Sequence, residues 1–289
     1  MKLGFLITAR LKSTRLPRKI LLDLNGRSVL DRVIDRCLAT KGVDSVVLCT
    51  STHPQDEELR AVASKREIAF FAGAEDDVLQ RLTDAAVREG YDAFLSMTAD
   101  NPLFSIEGAE ALVRVFRESP FDFGFLKGLP IGCMPYGLRT AAARVACYMK
   151  SATDTEIWGP FVRRDDFFHV LDIWVDGSPF DEAVRLTCDY PADYELMQCL
   201  FERPEFAEVP ALNDVLSFLA RHPDWWEIIA ECSQRWPREE ELAAIRNTFD
   251  ARKGDGMRFA AEQGIDLQPG YRELRTSLIS CADARRVLQ

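Results

Sequence analysis

Short apolar runs alternate along the chain with segments whose apolar residues recur at helical spacing. Residues 3–9 form an apolar run that ends at a polar break, which is typical of a buried central strand in a parallel sheet. Further strands are predicted at residues 43–50, 68–71 and 93–98. A helix is predicted after its cap at Ser28, because apolar residues follow at positions 29, 30, 33, 34 and 37. The alternation predicts an α/β fold with a mostly parallel sheet flanked by helices.

The pattern changes in the second half of the chain. Residues 121–180 are rich in glycine, proline and aromatic residues and include a predicted helix at 139–151. His169 lies in a predicted strand, where a core or edge position is favoured over a catalytic one. From about residue 205 the pattern is helical, and residues 231–289 carry no readable motif. We predict a main α/β domain over 1–230 and a helical C-terminal extension over 231–289.

Composition and charge exclude several classes of protein. The chain has 289 residues, a net charge of −10 and a pI near 5.0, which argues against a dedicated nucleic-acid binder. No apolar stretch is long enough to span a bilayer, and the chain opens directly into a strand, so we expect a cytoplasmic protein that does not bind membranes. The eight cysteines are scattered without a C-x-x-C pair, which favours reduced thiols over a zinc site.

Five cations and no acid lie between residues 10 and 19. This loop follows the first strand, where an open α/β sheet places its ligand crevice. Arginine and lysine suit a polyphosphate, because one offers a planar donor fork and the other a compact charge. A solvated basic turn is the alternative that charge alone leaves open.

Two aspartates follow other predicted strand ends. Asp100 precedes Asn101 and Pro102, and it either holds a metal in the crevice or caps the next helix. Asp189 precedes Pro191 in a good helix start, so it is either a metal ligand or a cap. Two hard oxygen ligands from separate strands suit phosphoryl chemistry, which favours the metal interpretation. The acids at residues 75–77 lie at the start of a predicted helix, where they interact favourably with the helix dipole, and this alone would explain them.

The string Ala9-Arg-Leu-Lys-Ser-Thr-Arg-Leu-Pro-Arg-Lys19 resembles the A-R-x-x-S-T-R-L-P-x-K signature of the sugar-activating cytidylyltransferases, above all the spore-coat-polysaccharide branch. Residues 73–81 resemble that family's G-x-x-x-D-V-L-x-R segment, and residues 185–196 resemble its R-x-T-x-D-x-P-x-D-x-E-x segment. Residues 99–103 are similar to its G-D-x-P-L strand end. The resemblance covers about residues 1–230.

The resemblance implies a Rossmann-like nucleotidyltransferase fold with a dimerisation arm within residues 121–180, and therefore a homodimer. It implies Mg²⁺ held by Asp100 and Asp189, and catalytic roles for Arg10, Lys19 and Asp100. Nucleotide binding is expected from Ala9, Arg10, Leu11, Ser13, Thr14, Arg15, Lys19, Asp77, Arg81, Thr98 and Ala99. The substrates would be CTP and a small-molecule acceptor, an acidic sugar or related precursor for surface polysaccharide, with release of pyrophosphate.

The chain departs from the family pattern at several positions. Ala99 replaces a glycine, Arg18 fills the variable position of the signature, and Arg139 replaces an acid. Residues 154–161 replace an arginine-glutamate-histidine run, which leaves the acceptor open. The alternatives are an enzyme of the same fold that uses GTP or another nucleotide, and a non-catalytic nucleotide- or sugar-binding protein. A glycosyltransferase is disfavoured because no D-x-D pair follows the expected strand.

Overall fold

The computed structural model describes residues 1–150, 158–234 and 236–277. Within these ranges, eight strands form one sheet: β1 (Leu3–Thr8), β2 (Ser45–Ser51), β3 (Ala69–Gly73), β4 (Ala93–Thr98), β5 (Phe123–Lys127), β6 (Tyr136–Arg139), β7 (His169–Asp176) and β8 (Gly270–Ser277). The helices are α1 (Val29–Ala39), α2 (Leu59–Lys65), α3 (Val78–Glu89), α4 (Ile106–Glu118), α5 (Thr140–Met149), α6 (Gly159–Val162), α7 (Pro191–Phe201), α8 (Leu212–Arg221) and α9 (Glu239–Glu262). No described helix is long and apolar enough to cross a bilayer.

The sheet has the order β3-β2-β1-β4-β6-β5-β7-β8. All neighbouring pairs are parallel except the two that involve β6, which runs antiparallel to β4 and to β5. Helices cover both faces, and each face has its own apolar core. The predicted α/β class with a mostly parallel sheet is therefore confirmed.

The first strand is central, as its unbroken apolar run predicts. Leu3, Phe5, Leu6 and Ile7 are completely buried, because β1 has β2 on one side and β4 on the other. Thr8 pairs with Thr98 at the carboxyl ends of β1 and β4. The chain departs from these two ends in different directions, which opens a crevice at this edge of the sheet.

Most predicted helix starts are confirmed. Ser28 caps α1 by accepting a hydrogen bond from the backbone N–H of Asp31 at 3.0 Å, and Asp31 completes the capping box. Pro191 is the first residue of α7, as expected from its fixed φ. The segment after β2 begins with a short 3-10 turn, Pro54–Glu58, which leads into α2.

The C-terminal extension is not helical throughout, and this part of the prediction is wrong. Helix α9 packs against α5, and the strand β8 then adds to the sheet edge in parallel register with β7. Leu274 is the one buried apolar side chain in β8, so the strand lacks the alternation that a sequence pattern needs. The division at residue 230 stays a prediction. Of the expected dimerisation arm, residues 151–157 lie outside the described residues.

Candidate active site

A cleft of about 500 Å³ opens at the carboxyl ends of β1 and β4. Of the predicted site residues, eleven line it: Ala9, Arg10, Ser13, Thr14, Arg15, Lys19, Arg81, Thr98, Ala99, Asp100 and Asp189. The polar residues that the sequence places 80 to 170 positions apart therefore share one cavity. Whether each one binds a nucleotide stays a prediction at this point.

Lys19 is the centre of the cleft's charge arrangement. Its ammonium group contacts the Asp100 carboxylate and lies 2.7 Å from Asp189 Oδ1. Burial alone would lower the pKa of Lys19, but attraction and hydrogen bonds from the two carboxylates outweigh it and raise the pKa above its ordinary value. Lys19 is thus held in its charged form.

Asp100 is fixed from its own strand end. Its Oδ1 accepts a hydrogen bond from the Thr98 hydroxyl at 2.5 Å, and its backbone carbonyl accepts one from the Cys188 N–H at 2.9 Å. Burial opposes ionisation of Asp100 most strongly, yet the Lys19 ammonium and the hydrogen bonds that the carboxylate accepts from Lys19 and Thr98 keep the pKa of Asp100 below its ordinary value. The helix-cap alternative for Asp100 does not hold, because the next helix, α4, is capped by Ser105.

Asp189 reaches the cleft through a close approach of two backbone segments. Gly132 has a φ of 93°, and a Cβ there would lie 2.5 Å from the Leu186 carbonyl oxygen, so only glycine fits. The Leu186 N–H donates to the Ile131 carbonyl at 2.7 Å. This pairing carries the chain past Asp100 and delivers Asp189 to the same end of the sheet.

A buried ion network holds the Asp189 carboxylate. Arg185 donates to Asp189 Oδ2 at 3.0 Å and to Asp193 Oδ2 at 2.9 Å. Asp193 also accepts the backbone N–H groups of Asp189 and Tyr190, both at 2.9 Å. The helix-start function therefore belongs to Asp193, and the Asp189 carboxylate is directed at Lys19 and Arg15.

The cationic loop, residues 10–19, is held in place by a buried acid that the sequence pattern does not single out. Asp56 is 1% exposed, and its Oδ1 accepts the Leu11 N–H at 2.7 Å while its Oδ2 accepts the Ser51 hydroxyl. At the end of the loop, Arg18 adopts a left-handed φ of 54° and forms two hydrogen bonds with Glu58. Residues 10–19 are thus a fixed loop and not a freely solvated turn.

Two predicted site residues do not line the cleft. The Leu11 side chain is 4% exposed and belongs to the core beneath the loop. Asp77 caps α3 by accepting the Gln80 N–H at 2.9 Å, and its carboxylate also contacts Lys150. Local packing and helix capping use these two side chains, and the predicted contact of Leu11 and Asp77 with a nucleotide stays a prediction.

Arg81 does line the cleft, although it is completely buried. Its Nη1 donates to the Ala74 carbonyl at 2.7 Å, which fixes the turn before α3. Burial lowers the pKa of Arg81. Its Nε and Nη2 find no hydrogen-bond acceptor among the described residues, so they remain available to a ligand in the cleft.

An aromatic wall was missed by the sequence prediction. Tyr136 and Trp158 line the cleft with ring centroids 4.7 Å apart in an edge-to-face arrangement. Tyr136 is the first residue of β6, three positions before Arg139, and Trp158 is the first described residue after position 150. The other lining residues beyond the predicted set are Thr8, Lys12, Ile20, Asp76 and Val78.

Arg139 and His169 lie away from the cleft. In the antiparallel pair, Tyr136 is opposite Ser96 near the cleft, whereas Arg139 is opposite Ala93 at the far end of β4. Arg139 donates there to the Phe121 carbonyl at 3.2 Å. The arginine at 139 therefore does not shape the acceptor side of the cleft. His169 packs its ring against Phe121, in agreement with a structural position.

Asp100 and Asp189 fit a divalent cation. Both carboxylates already reach one common positive group, the Lys19 ammonium, so they can share a ligand position. Mg²⁺ is usually bound through one or two carboxylates, with water and substrate phosphate as the remaining ligands. Within the described residues no group of three or more acidic, histidine or cysteine side chains converges.

Comparison with known proteins identifies relatives of the chain. Residues 5–155 match the family model described as cytidylyltransferase. An uncharacterized protein of Methanocaldococcus jannaschii, MJ1063, is 27% identical over 243 residues, which cover 83% of this chain and all of that protein. The spore coat polysaccharide biosynthesis protein SpsF of Bacillus subtilis is 25% identical over 232 residues, covering 76% of this chain and 95% of that protein.

A solved structure shares the fold. The structure of a cytidylyltransferase from Leptospira borgpetersenii serovar Hardjo-bovis matches with a TM-score of 0.72 and 22% identity. The match covers 82% of this chain and 100% of that chain. It establishes the shared architecture, including the sheet that carries the cleft.

Proposed function

Because the chain belongs to the cytidylyltransferase family, we propose that it transfers a cytidylyl group from CTP to a hydroxyl group of an acidic sugar or related precursor. Pyrophosphate is the second product, and Mg²⁺ is the cofactor. The observation that carries the proposal is the convergence of Asp100 and Asp189 on Lys19 beneath the cationic loop. The Bacillus subtilis relative is named as a spore coat polysaccharide biosynthesis protein, which supports a sugar as the acceptor.

In the proposed reaction, the acceptor oxygen forms a bond to the α-phosphorus of CTP. The bond from that phosphorus to the oxygen bridging the β-phosphorus breaks, so pyrophosphate leaves with the bridging oxygen. The proton of the acceptor hydroxyl passes to water in the open cleft. Negative charge grows on the α-phosphate and the leaving group, so preorganised cations are the main requirement for catalysis.

The chain's own residues meet that requirement. Lys19, held protonated by its carboxylate partners, and the guanidinium groups of Arg10 and Arg15 would neutralise the triphosphate. Asp100 and Asp189 would hold Mg²⁺, which when bound neutralises phosphate oxygens and orients them. The ion pairs that Lys19 and Arg15 make with these carboxylates keep the cleft balanced in charge before substrates arrive.

The aromatic wall offers a surface for an uncharged part of a substrate. Trp158 is buried and Tyr136 is half-buried at the side of the cleft reached from β6. Arg81, on α3, adds two donor nitrogens, Nε and Nη2, that have no acceptor among the described residues. We propose that these residues bind the nucleoside or the acceptor, because the cations of the loop at residues 10–19 already bind the phosphates in this account.

The experiment is a pyrophosphate-release assay. The protein is incubated with Mg²⁺, one of CTP, UTP, GTP or ATP, and a panel of acceptors that contains keto-sugar acids and nonulosonates. We expect release with CTP that depends on both the acceptor and the metal. A preference for another nucleotide would favour the alternative enzyme of the same fold. Calorimetric binding of CTP with Mg²⁺ but no release from any acceptor would favour the non-catalytic alternative.

We also propose a homodimer that acts in the cytoplasm. The family resemblance supports the dimer, and the cytoplasmic location follows from a substrate, CTP, that is made inside the cell. Light scattering after size exclusion should give twice the 32.7 kDa mass of the chain. A monomer mass at micromolar concentration would contradict the dimer without touching the proposed reaction.

A further inference from the structure

A second groove of about 540 Å³ is lined in part by Arg185, whose guanidinium also donates to Asp189 at the candidate active site. Its walls come from the segment that leads to Asp189 and from the turn after α8. They include Ile131, Glu182, Arg185, Trp226 and Trp236. The proposed reaction uses none of the space in this groove.

Two buried N–H donors in the groove wall lack an acceptor. Arg185 commits its Nη1 to the Ser233 carbonyl at 2.8 Å and its Nη2 to Asp189 and Asp193, but its Nε finds no partner among the described residues. The indole Nε1 of Trp226 is likewise buried without an acceptor in the described part of the chain. Buried donors are normally satisfied, so these two point to a ligand or ordered water in the groove.

Two tryptophan side chains give the same groove an aromatic surface. Trp226 is held by an edge-to-face contact with Phe180, with ring centroids 4.7 Å apart. Trp236 is 67% exposed, which is unusual for so large an apolar side chain, and it lies at the same groove. Aromatic faces combined with a few placed polar groups are the composition of a small-molecule site.

The charges of the groove limit the class of ligand. Glu182 supplies a carboxylate, and the Arg185 guanidinium is the one cation among the described lining residues. That guanidinium is already paired with two carboxylates, so Arg185 itself offers little positive charge to a phosphate or a carboxylate. A neutral sugar matches better, because its apolar ring face packs on indole while its hydroxyls accept from N–H donors and donate to Glu182.

We propose that this groove is a second binding site, specific for a neutral saccharide. The site is separate from the cleft but shares Arg185 with it, since the same guanidinium holds Asp189 on the cleft side. A sugar that accepts from Arg185 Nε therefore contacts the residue that positions a candidate metal ligand.

The test measures binding alone, without CTP, so that its failure leaves the proposed transferase reaction untouched. Saturation-transfer difference NMR is recorded on the full chain with the methyl glycosides of glucose, galactose, rhamnose and N-acetylglucosamine at millimolar concentration. At least one glycoside should give a saturable signal. Trp236→Ala, which removes the exposed ring, and Trp226→Phe, which keeps the ring packing but removes the N–H, should each weaken binding at least tenfold.

Trp225→Phe is the matched control, because Trp225 packs on Phe218 and does not line the groove. It should retain the wild-type affinity, and thermal melts should show that all three variants fold. The proposal is overturned if no glycoside binds, or if both groove variants bind as tightly as the wild type. Equal loss of binding in Trp225→Phe would also overturn it, since the effect would then not belong to the groove.

Discussion

The Lys19 ammonium lies 2.7 Å from the Asp189 carboxylate, although 170 residues separate them in the chain. The same ammonium contacts Asp100, which ends the strand next to β1. One cation therefore connects the loop after β1, the end of β4 and the start of α7. In an acidic protein this convergence places fixed positive charge where a polyphosphate can enter.

Replacing Lys19 by alanine should lower kcat/KM for pyrophosphate release with CTP by about 10²- to 10³-fold, because a preorganised charge at the reacting phosphates is removed. Lys12→Ala is the matched control: Lys12 lines the same cleft but pairs with no described carboxylate. We expect the control to lose less than tenfold. Equal losses in the two variants would show that only the net charge of the loop matters.

The stability of the protein in acid should depend on Asp100. Its pKa is lowered in the fold, because the effect of burial is outweighed by Lys19 and Thr98. A carboxyl group with a lowered pKa stabilises the fold above its unfolded pKa of about 3.9, and this contribution is lost as the pH falls through the folded value. The free energy of unfolding of the wild type should therefore decrease more steeply below about pH 5 than that of Asp100→Asn.

Denaturant titrations at several pH values measure this difference. Asp224→Asn, at an exposed position outside the cleft, serves as the control and should keep the wild-type pH dependence. If the Asp100→Asn and wild-type curves run parallel from about pH 5 to about pH 2, the carboxylate is not stabilised as the contacts indicate.

The Asp56 carboxylate should act on catalysis through the loop that it holds. Asp56→Ala removes the acceptor for the Leu11 N–H and should raise the KM for CTP on the order of tenfold, because a hydrogen bond to a charged group contributes about 1.5–3 kcal/mol. Asp56→Asn retains an acceptor oxygen and should keep KM within about threefold of the wild type. Steady-state kinetics well below the melting temperature of each variant separates this effect from unfolding. Unchanged KM in Asp56→Ala would remove the positioning role.

Substitution of two glycines in α9 by alanine should change the free energy of unfolding in opposite directions. A Cβ at Gly256 would lie 2.2 Å from Met149 Sδ and 3.1 Å from Phe167 Cζ, so Gly256→Ala should destabilise the fold by about 1–3 kcal/mol. At Gly254 the nearest atom is 3.8 Å away, and alanine should stabilise the helix by about 1 kcal/mol. Thermal melts measure both. A stabilised Gly256→Ala variant would contradict the close packing of the C-terminal extension on α5.

Local sequence patterns were sufficient to predict those features that depend on a single helix or strand. The apolar run of β1, the cap at Ser28 and the proline that opens α7 each carry their own physical cause, and all three are confirmed. The placement of Lys19 and Asp100 at one sheet edge follows from the rule that neighbouring parallel strands end together, whereas Asp189 is brought there by the pairing of Leu186 with Ile131. The sequence therefore predicted the polar centre of the cleft.

Contacts between distant segments could not be predicted in this way. Asp56 holds the Leu11 N–H across 45 residues, and nothing near Asp56 in the chain signals that partner. Tyr136 lines the cleft because β6 pairs antiparallel with β4. A strand of only four residues that contains a glycine gives too weak a sequence pattern to predict this pairing. Strand β8 is stabilised by pairing with β7, and its exposed polar residues give no strand signal.

The most direct test of the central claim is a crystal structure with a non-hydrolysable CTP analogue and Mn²⁺, located by its anomalous scattering. We predict a manganese peak bound by both Asp100 and Asp189, with the Lys19 ammonium within hydrogen-bonding distance of a phosphate oxygen of the analogue. A manganese ion bound elsewhere, or a triphosphate that does not contact Lys19, would contradict the account.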